Sequence, residues 1–309
     1  MHEMERTTGR LGVVIPTFER PKELATAMEH LLSQKKYPDA IAVIDDGAIS
    51  QELEARFRSA CAERSIAFTY YKKDHSRERA GLSESKNIAL AKIDTDLVFF
   101  IDDDIYLEPN AIEAIARIYS LRASNKSLAG IAGVITNNRK IGMLERLFNM
   151  VFCLSSKNAW DTTPVGFQVW NDRITRDTVG YYSHGGLTAY TRDFLQKHPF
   201  PVFSGGRTGL EDVFIAAMAK KEGYYFVISP DAAAYHDARP ETREAGFRSG
   251  QKESENRKMI FRYLHRTPSI GIRKHYAWSN LGWILRQLLA GHFRKGFGMI
   301  SGAVGKTNA

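Results

Sequence analysis

Cysteine is nearly absent. Cys61 and Cys153 are the only two in 309 residues, which excludes a disulfide framework and offers no metal-knuckle spacing. Two reduced thiols in a cytosol, both filling core, are expected. Also missing is a glycine-rich turn after the first apolar run. Residues 11–15 lead into Pro16-Thr17-Phe18-Glu19-Arg20, where a dinucleotide dehydrogenase needs G-x-G-x-x-G and a nucleotidyltransferase usually carries a glycine-rich phosphate loop. Gly296 and Gly298 follow no strand, and no D-x-D follows the first strand as an aspartyl phosphatase requires. Residues 1–10 are polar and charged, so no signal peptide is expected there. The tail has no long hydrophobic run. Between Lys274 and Arg286 lie eleven uncharged residues, counting His275 as neutral, against the ~20 that a spanning helix needs. Acid is absent altogether from residues 256–309, which hold ten Lys/Arg.

What is present describes a folded α/β chain. Hydrophobic residues make up 43% and charged residues 25%, which excludes wholesale disorder, and no internal repeat or low-complexity segment occurs. The net charge of +8 is uneven, because outside the tail 33 basic side chains face 35 acidic ones. Apolar runs at 11–15, 41–44, 67–72, 97–101 and 129–135 read as strands. Helices are predicted at 21–35, 51–64, 83–92 and 109–122, the first opened by Pro21 at a helix N1 position. This alternation predicts a Rossmann-like, mostly parallel sheet flanked by helices. Ligands of such sheets sit beyond the carboxyl ends of the strands. Pro16-Thr17, Asp45-Asp46 and Asp102-Asp103-Asp104 all fall at those ends, so they are expected to converge on one crevice. Residues 137–180, with Trp160, Trp170 and an apolar stretch at 147–154, read as an insertion over that crevice. Strand, helix and strand return at 183–191, 211–221 and 224–228. A catalytic domain over 1–250 and a helical extension over 251–309 are expected.

Several clusters could do chemistry. The apolar run 97–101 ends abruptly in three aspartates. Alternation along an extended chain predicts Asp102 and Asp104 on one side and Asp103 on the other. Two carboxylates on one side repel unless a cation neutralises them, and a hard divalent cation carrying a nucleotide diphosphate would do so. A solvated acidic turn is the plain alternative. Glu211-Asp212 opens a helix after Gly209-Leu210; the helix dipole alone favours acids there, and so does a general base held in a pocket. His236, after the last strand, is either structural or completes a metal site. Gly185-Gly186 allows close approach of a ligand or makes a tight turn. Ser204-Gly205-Gly206-Arg207 reads as a basic loop that orders on substrate, or as a connector.

Together these residues resemble a known family. Val13-Val14-Ile15-Pro16-Thr17-Phe18-Glu19-Arg20, Val43-Ile44-Asp45-Asp46-Gly47, Gly81-Leu82-Ser83 through Lys86-Asn87, Ile101 to Asp104, Gly185-Gly186, Glu211-Asp212, and Pro230-Asp231 through His236 occur in family order. Spanning about 11–237, they resemble the family 2 glycosyltransferases of the GT-A fold. The resemblance implies an inverting, metal-dependent transfer from a nucleotide diphosphate sugar to a saccharide or lipid-linked acceptor, in surface polysaccharide or glycolipid assembly. It implies that Pro16, Thr17, Glu19, Arg20, Asp46, Lys86, Asp102, Asp103, Gly185 and Gly186 bind the nucleotide sugar. Asp104 and His236 would hold Mn²⁺ or Mg²⁺, and Asp212, with Glu211 beside it, would be the catalytic base. Lys86 stands where the family more usually has Arg, which keeps the charge but loses the bidentate fork.

Two rival readings are a non-catalytic nucleotide-sugar-binding or membrane-associated scaffold and a nucleotidyltransferase. A scaffold is free to lose the aspartate triplet or the Glu-Asp pair, and this chain keeps both. In the tail, Trp278, Leu281, Leu285, Leu288 and Leu289 recur mostly at helical spacing, punctuated by Arg273, Lys274, Arg286, Arg294 and Lys295. Helices packed on the catalytic domain with a solvated basic face would give this pattern. So would interfacial helices on an anionic leaflet, which implies a cytoplasmic protein peripheral to the inner face of the cell membrane. Nucleic acid is not expected as a partner, because no nucleic-acid motif accompanies the charge.

Overall fold

Strand β1 (Leu11–Thr17) is buried along its whole length, and an apolar run without alternation needs cover on both faces. A computed structural model describes residues 9–171, 173–203, 209–237 and 246–305 and shows that cover. After β1 come α1 (Pro21–Leu32), β2 (Ala40–Asp45), α2 (Gln51–Ala62), β3 (Ala67–Lys72), α3 (Leu82–Lys92) and β4 (Leu97–Ile101). Next are β5 (Ile105–Leu107), α4 (Ala111–Arg122), β6 (Leu128–Ile135), α5 (Met143–Val151), β7 (Asp161–Thr162) and β8 (Gln168–Val169). Then follow β9 (Thr178–Gly180), β10 (Leu187–Thr191), α6 (Arg192–Lys197), α7 (Glu211–Lys221) and β11 (Tyr225–His236). Three helices close the described chain: α8 (Phe247–Leu264), α9 (Ile270–Leu289) and α10 (Phe293–Val304). The boundary expected at residue 250 falls inside α8.

The main sheet runs β3-β2-β1-β4-β10-β6-β11-β5, with β9 also on β11. Strands β1 to β4 pair in parallel, and β6 pairs in parallel with β11. Strand β10 is antiparallel to both neighbours, so the sheet is mixed, with parallel pairing dominant. One core joins α1, α2 and α4 to the sheet; a second joins α3, α6 and α7 to its other face.

Two registers set the site. Leu187 pairs with Ile101, which brings Gly185-Gly186 to the end of β4. His236 pairs with Ile105, which brings the histidine beside the aspartate triplet. The strand expected from residue 183 starts only at Leu187, because the chain turns first, with Leu187 N donating to His184 O at 3.1 Å.

Three expectations need correction. The insertion 137–180 does not simply cover the crevice: Leu154, Val165 and Phe167 pack on Phe261, Ile272, Tyr276 and Trp283 of the C-terminal helices. Only Cys61 is buried, whereas Cys153 is exposed after α5 with φ at +54°. The tail's cations are also not all free. Buried Glu253 accepts from Trp283 Nε1 at 2.7 Å and pairs with Arg257 at 3.1 Å and Lys295 at 2.9 Å. The Arg257 guanidinium lies between the rings of Phe167 and Trp283. These contacts clasp the C-terminal helices to the 160–170 segment.

Candidate active site

Extended geometry stops at Ile101, so the triplet does not alternate as an ideal strand would. Asp103 and Asp104 instead converge on one guanidinium: Arg20 Nη1 lies 2.7 Å from Asp103 Oδ1 and 2.9 Å from Asp104 Oδ2. Thr17 Oγ1 donates to the other Asp103 oxygen at 2.8 Å. Asp102 stands apart from this pair. Its carboxyl packs against Gly186, where any Cβ would collide with it. Burial pushes Asp102 up to about 6, with Asp104, Asp103 and Glu211 adding and Lys86 opposing.

His236 Nε2 is 3.5 Å from Asp104 Oδ1. Two ligands about 2.1 Å from one octahedral cation and at right angles are about 3 Å apart, so a small shift lets this pair chelate one ion. Burial works to raise the Asp104 carboxyl, but His236 and Arg20 outweigh it and hold it below the ordinary range. Among the described residues no group of three or more His, Cys, Asp or Glu forms a ready cage. Two protein ligands with the remaining positions open suit a cation that keeps waters and takes phosphate oxygens.

Other expected binding residues are engaged within the protein. Asp46 Oδ2 accepts from Gly81 N at 2.8 Å, and Asp46 Oδ1 lies 2.7 Å from the buried Lys73 Nζ. Lys73 was not singled out from sequence; only its place just after β3, beside β2 in parallel register, identifies it. Glu19 has φ of +53° and its backbone lies against Gly47, so the ends of β1 and β2 meet there. Lys86 is enclosed, with Nζ donating to Gly185 O and Glu211 Oε1, each at 3.1 Å.

Asp212 sits in the first turn of α7, behind Leu210 in the left-handed region. Its Oδ2 accepts from Tyr182 OH at 2.9 Å and its Oδ1 from Val213 N at 2.8 Å. Burial, and then the Glu211 charge, raises the Asp212 carboxyl; Tyr182 and Lys86 oppose them. Tyr182 lies thirty residues away in sequence, and no local signal marks it. It belongs to an aromatic group with Trp160, Trp170 and His184. Gly185-Gly186 joins the two halves of the site. A Cβ on Gly185 would sit 2.8 Å from Asp212 Cβ and 3.2 Å from Lys86 Nζ, while Gly186 abuts Asp102. The loop at Ser204-Gly205-Gly206-Arg207 and most of the N-terminal 1–10 segment lie outside the described residues.

A mostly parallel, mixed sheet flanked by helices, with aspartates where its strands end, is the GT-A architecture. The mannosyltransferase PcManGT from Pyrobaculum calidifontis, solved in complex with GDP-Man and Mn²⁺, shares it with a TM-score of 0.58 at 16% identity, over 96% of this chain and 76% of that one. The family model described as Glycosyl transferase family 2 matches residues 12–179, more than half of the sequence, and the chain belongs to that family. Galactofuranosyltransferase GlfT2 of Mycolicibacterium smegmatis is 26% identical over 249 residues, which cover 74% of this chain and 37% of that protein. Chondroitin synthase of Escherichia coli is 24% identical over 250 residues, covering 74% and 35%. The chain therefore spans little more than a third of the length of these relatives.

Proposed function

We propose that this chain is a metal-dependent inverting glycosyltransferase. It moves a sugar from a nucleotide diphosphate donor to a hydroxyl of a saccharide or lipid-linked acceptor, in surface polysaccharide or glycolipid assembly. The observation that carries this reading is the Gly185-Gly186 dipeptide, which abuts Asp102 on one side and Asp212 on the other. We read this dipeptide as the link between the end of the aspartate triplet and the proposed base, Asp212. The complex of PcManGT with GDP-Man and Mn²⁺ supports the donor class and the cation.

Asp104 and His236 would hold Mn²⁺ or Mg²⁺, whose charge offsets that developing on the leaving diphosphate. Pro16, Thr17, Glu19 and Asp46 border the nucleotide, and Asp102 and Asp103 face the ribose and phosphate end. Arg20 neutralises Asp103 and Asp104 and supplies a cation near the phosphates. Lys86 balances Glu211 and Asp102, and its bond to Gly185 O fixes the backbone between donor and base. Asp212 takes the proton from the acceptor hydroxyl, whose oxygen bonds to the anomeric carbon. The bond from that carbon to the diphosphate oxygen breaks on the opposite face, and its electron pair leaves with the diphosphate. Tyr182 orients the Asp212 carboxylate for this step.

No described helix is long and apolar enough to cross a membrane. A cytoplasmic location, peripheral on the inner face of the cell membrane, fits a cationic tail and a lipid-linked acceptor. The test is release of free nucleotide from a panel of nucleotide sugars with Mn²⁺ or Mg²⁺, with the product anomer read by NMR. Tight donor binding with no turnover on any acceptor would favour the scaffold reading instead, and pyrophosphate release would favour the nucleotidyltransferase.

A further inference from the structure

Helix α5 buries none of its residues, although it is mostly apolar. Met143, Leu144, Leu147, Met150 and Val151 stand between 52% and 88% exposed, at helical spacing along one face. The opposite face fastens the helix to α9. Glu145 pairs with Arg286 at one end; at the other, Trp278 Nε1 donates to Val151 O at 2.7 Å and Phe152 stacks on Trp278 at 4.9 Å. Helices α5 and α9 therefore run antiparallel and side by side. Helix α9 also exposes Trp278, Leu281 and Leu289. Helix α10, whose Gly296 lies against Leu288, adds Phe293, Phe297, Ile300 and Val304, exposed by 41% to 83%. Three neighbouring helices thus each leave an apolar stripe in solvent, far more than scattered surface apolar residues would give.

The surrounding charge is predominantly positive. Residues 137–157 hold Arg139, Lys140, Arg146 and Lys157 against a single acid, Glu145, which is turned inward to Arg139 and Arg286. The tail beyond residue 255 holds no acid at all. A twofold pairing of two copies through this face would set these cations against one another. An anionic lipid surface instead accepts both the apolar stripes and the flanking cations.

We infer that α5, together with α9 and α10, is a bilayer-docking surface for anionic lipid, with α5 the element that enters the headgroup boundary. This deepens the peripheral location included in the proposed function and rests on it. It differs from a purely electrostatic attachment by the tail, because Arg257, Arg286 and Lys295 of the tail are already paired within the protein.

The test is co-sedimentation of the full chain with phosphatidylglycerol–phosphatidylcholine vesicles and with pure phosphatidylcholine vesicles. Binding is expected to be at least about tenfold stronger to the anionic vesicles, and Leu144→Glu/Leu147→Glu should lower it at least about tenfold. These side chains are exposed, so the fold is expected to hold, as checked by circular dichroism. Independently, a Met143→Trp reporter should be quenched by brominated anionic lipid. Equal sedimentation of the double variant, an unquenched reporter, or sedimentation equilibrium showing a stable dimer that buries this face would each overturn the inference. Capture of the face by an acidic protein in preference to vesicles would do so as well. Release of nucleotide with a short soluble acceptor, measured in parallel, should be unchanged in Leu144→Glu/Leu147→Glu. Vesicle binding without any turnover would leave the docking surface standing and sink the catalytic reading alone.

Discussion

Lys86→Met tests the charge balance at the centre of the site. The Lys86 side chain is wholly buried, its Glu211 partner is 8% exposed, and their 3.1 Å pair is closed off by Phe100 and Phe200. Removing one member of a buried pair strands the other, which costs about 3–5 kcal/mol. With a urea m-value of about 3 kcal/mol/M, the unfolding midpoint should fall by roughly 1–1.7 M. The substitution also removes a charge that opposes the rise of the Asp212 carboxyl. The base is active only when ionised, so the acidic limb of the kcat/KM profile should move to higher pH. The double variant Lys86→Met/Glu211→Gln removes both charges and should recover most of the lost stability. A midpoint within about 0.3 M of wild type together with an unmoved acidic limb would refute the reasoning.

Asp212→Asn should keep donor and cation binding yet lower turnover at least ~100-fold in a steady-state assay. Because the folded protein raises this carboxyl, stability from the group is lost as pH rises from the unfolded value through the folded one; urea melts should therefore show Asp212→Asn more stable than wild type at pH 8 but not below about pH 4. Tyr182→Phe removes a hydrogen bond that lowers the same carboxyl, so its acidic limb should also move up, and an unmoved limb would separate Tyr182 from the base. EDTA should abolish turnover and Mn²⁺ or Mg²⁺ restore it. In titration calorimetry Asp104→Ala should weaken cation-dependent donor binding about tenfold or more, and wild-type behaviour of that variant would reject the Asp104–His236 site.

The order of elements and the side of the sheet that carries the site follow from the chain itself. Fully apolar runs such as 11–15 and 97–101 can be satisfied only in the interior of a sheet covered on both faces. The residues where such runs stop, Pro16-Thr17, Asp45-Asp46 and the aspartate triplet, must then emerge at one edge. The cationic tail and its helical apolar spacing are equally local properties. Pairing between distant segments is not. No pattern near Tyr182 says that it bonds Asp212, and none near Lys73 says that it meets Asp46, because only the folded chain brings those segments together. The triplet's geometry also escaped local reasoning: alternation holds only while the strand lasts, and beyond Ile101 the Arg20 guanidinium draws Asp103 and Asp104 together. The same holds for α5. Its amphipathic spacing is written in residues 143–151, but which face it turns to solvent was decided when Trp278 and Arg286 took the other.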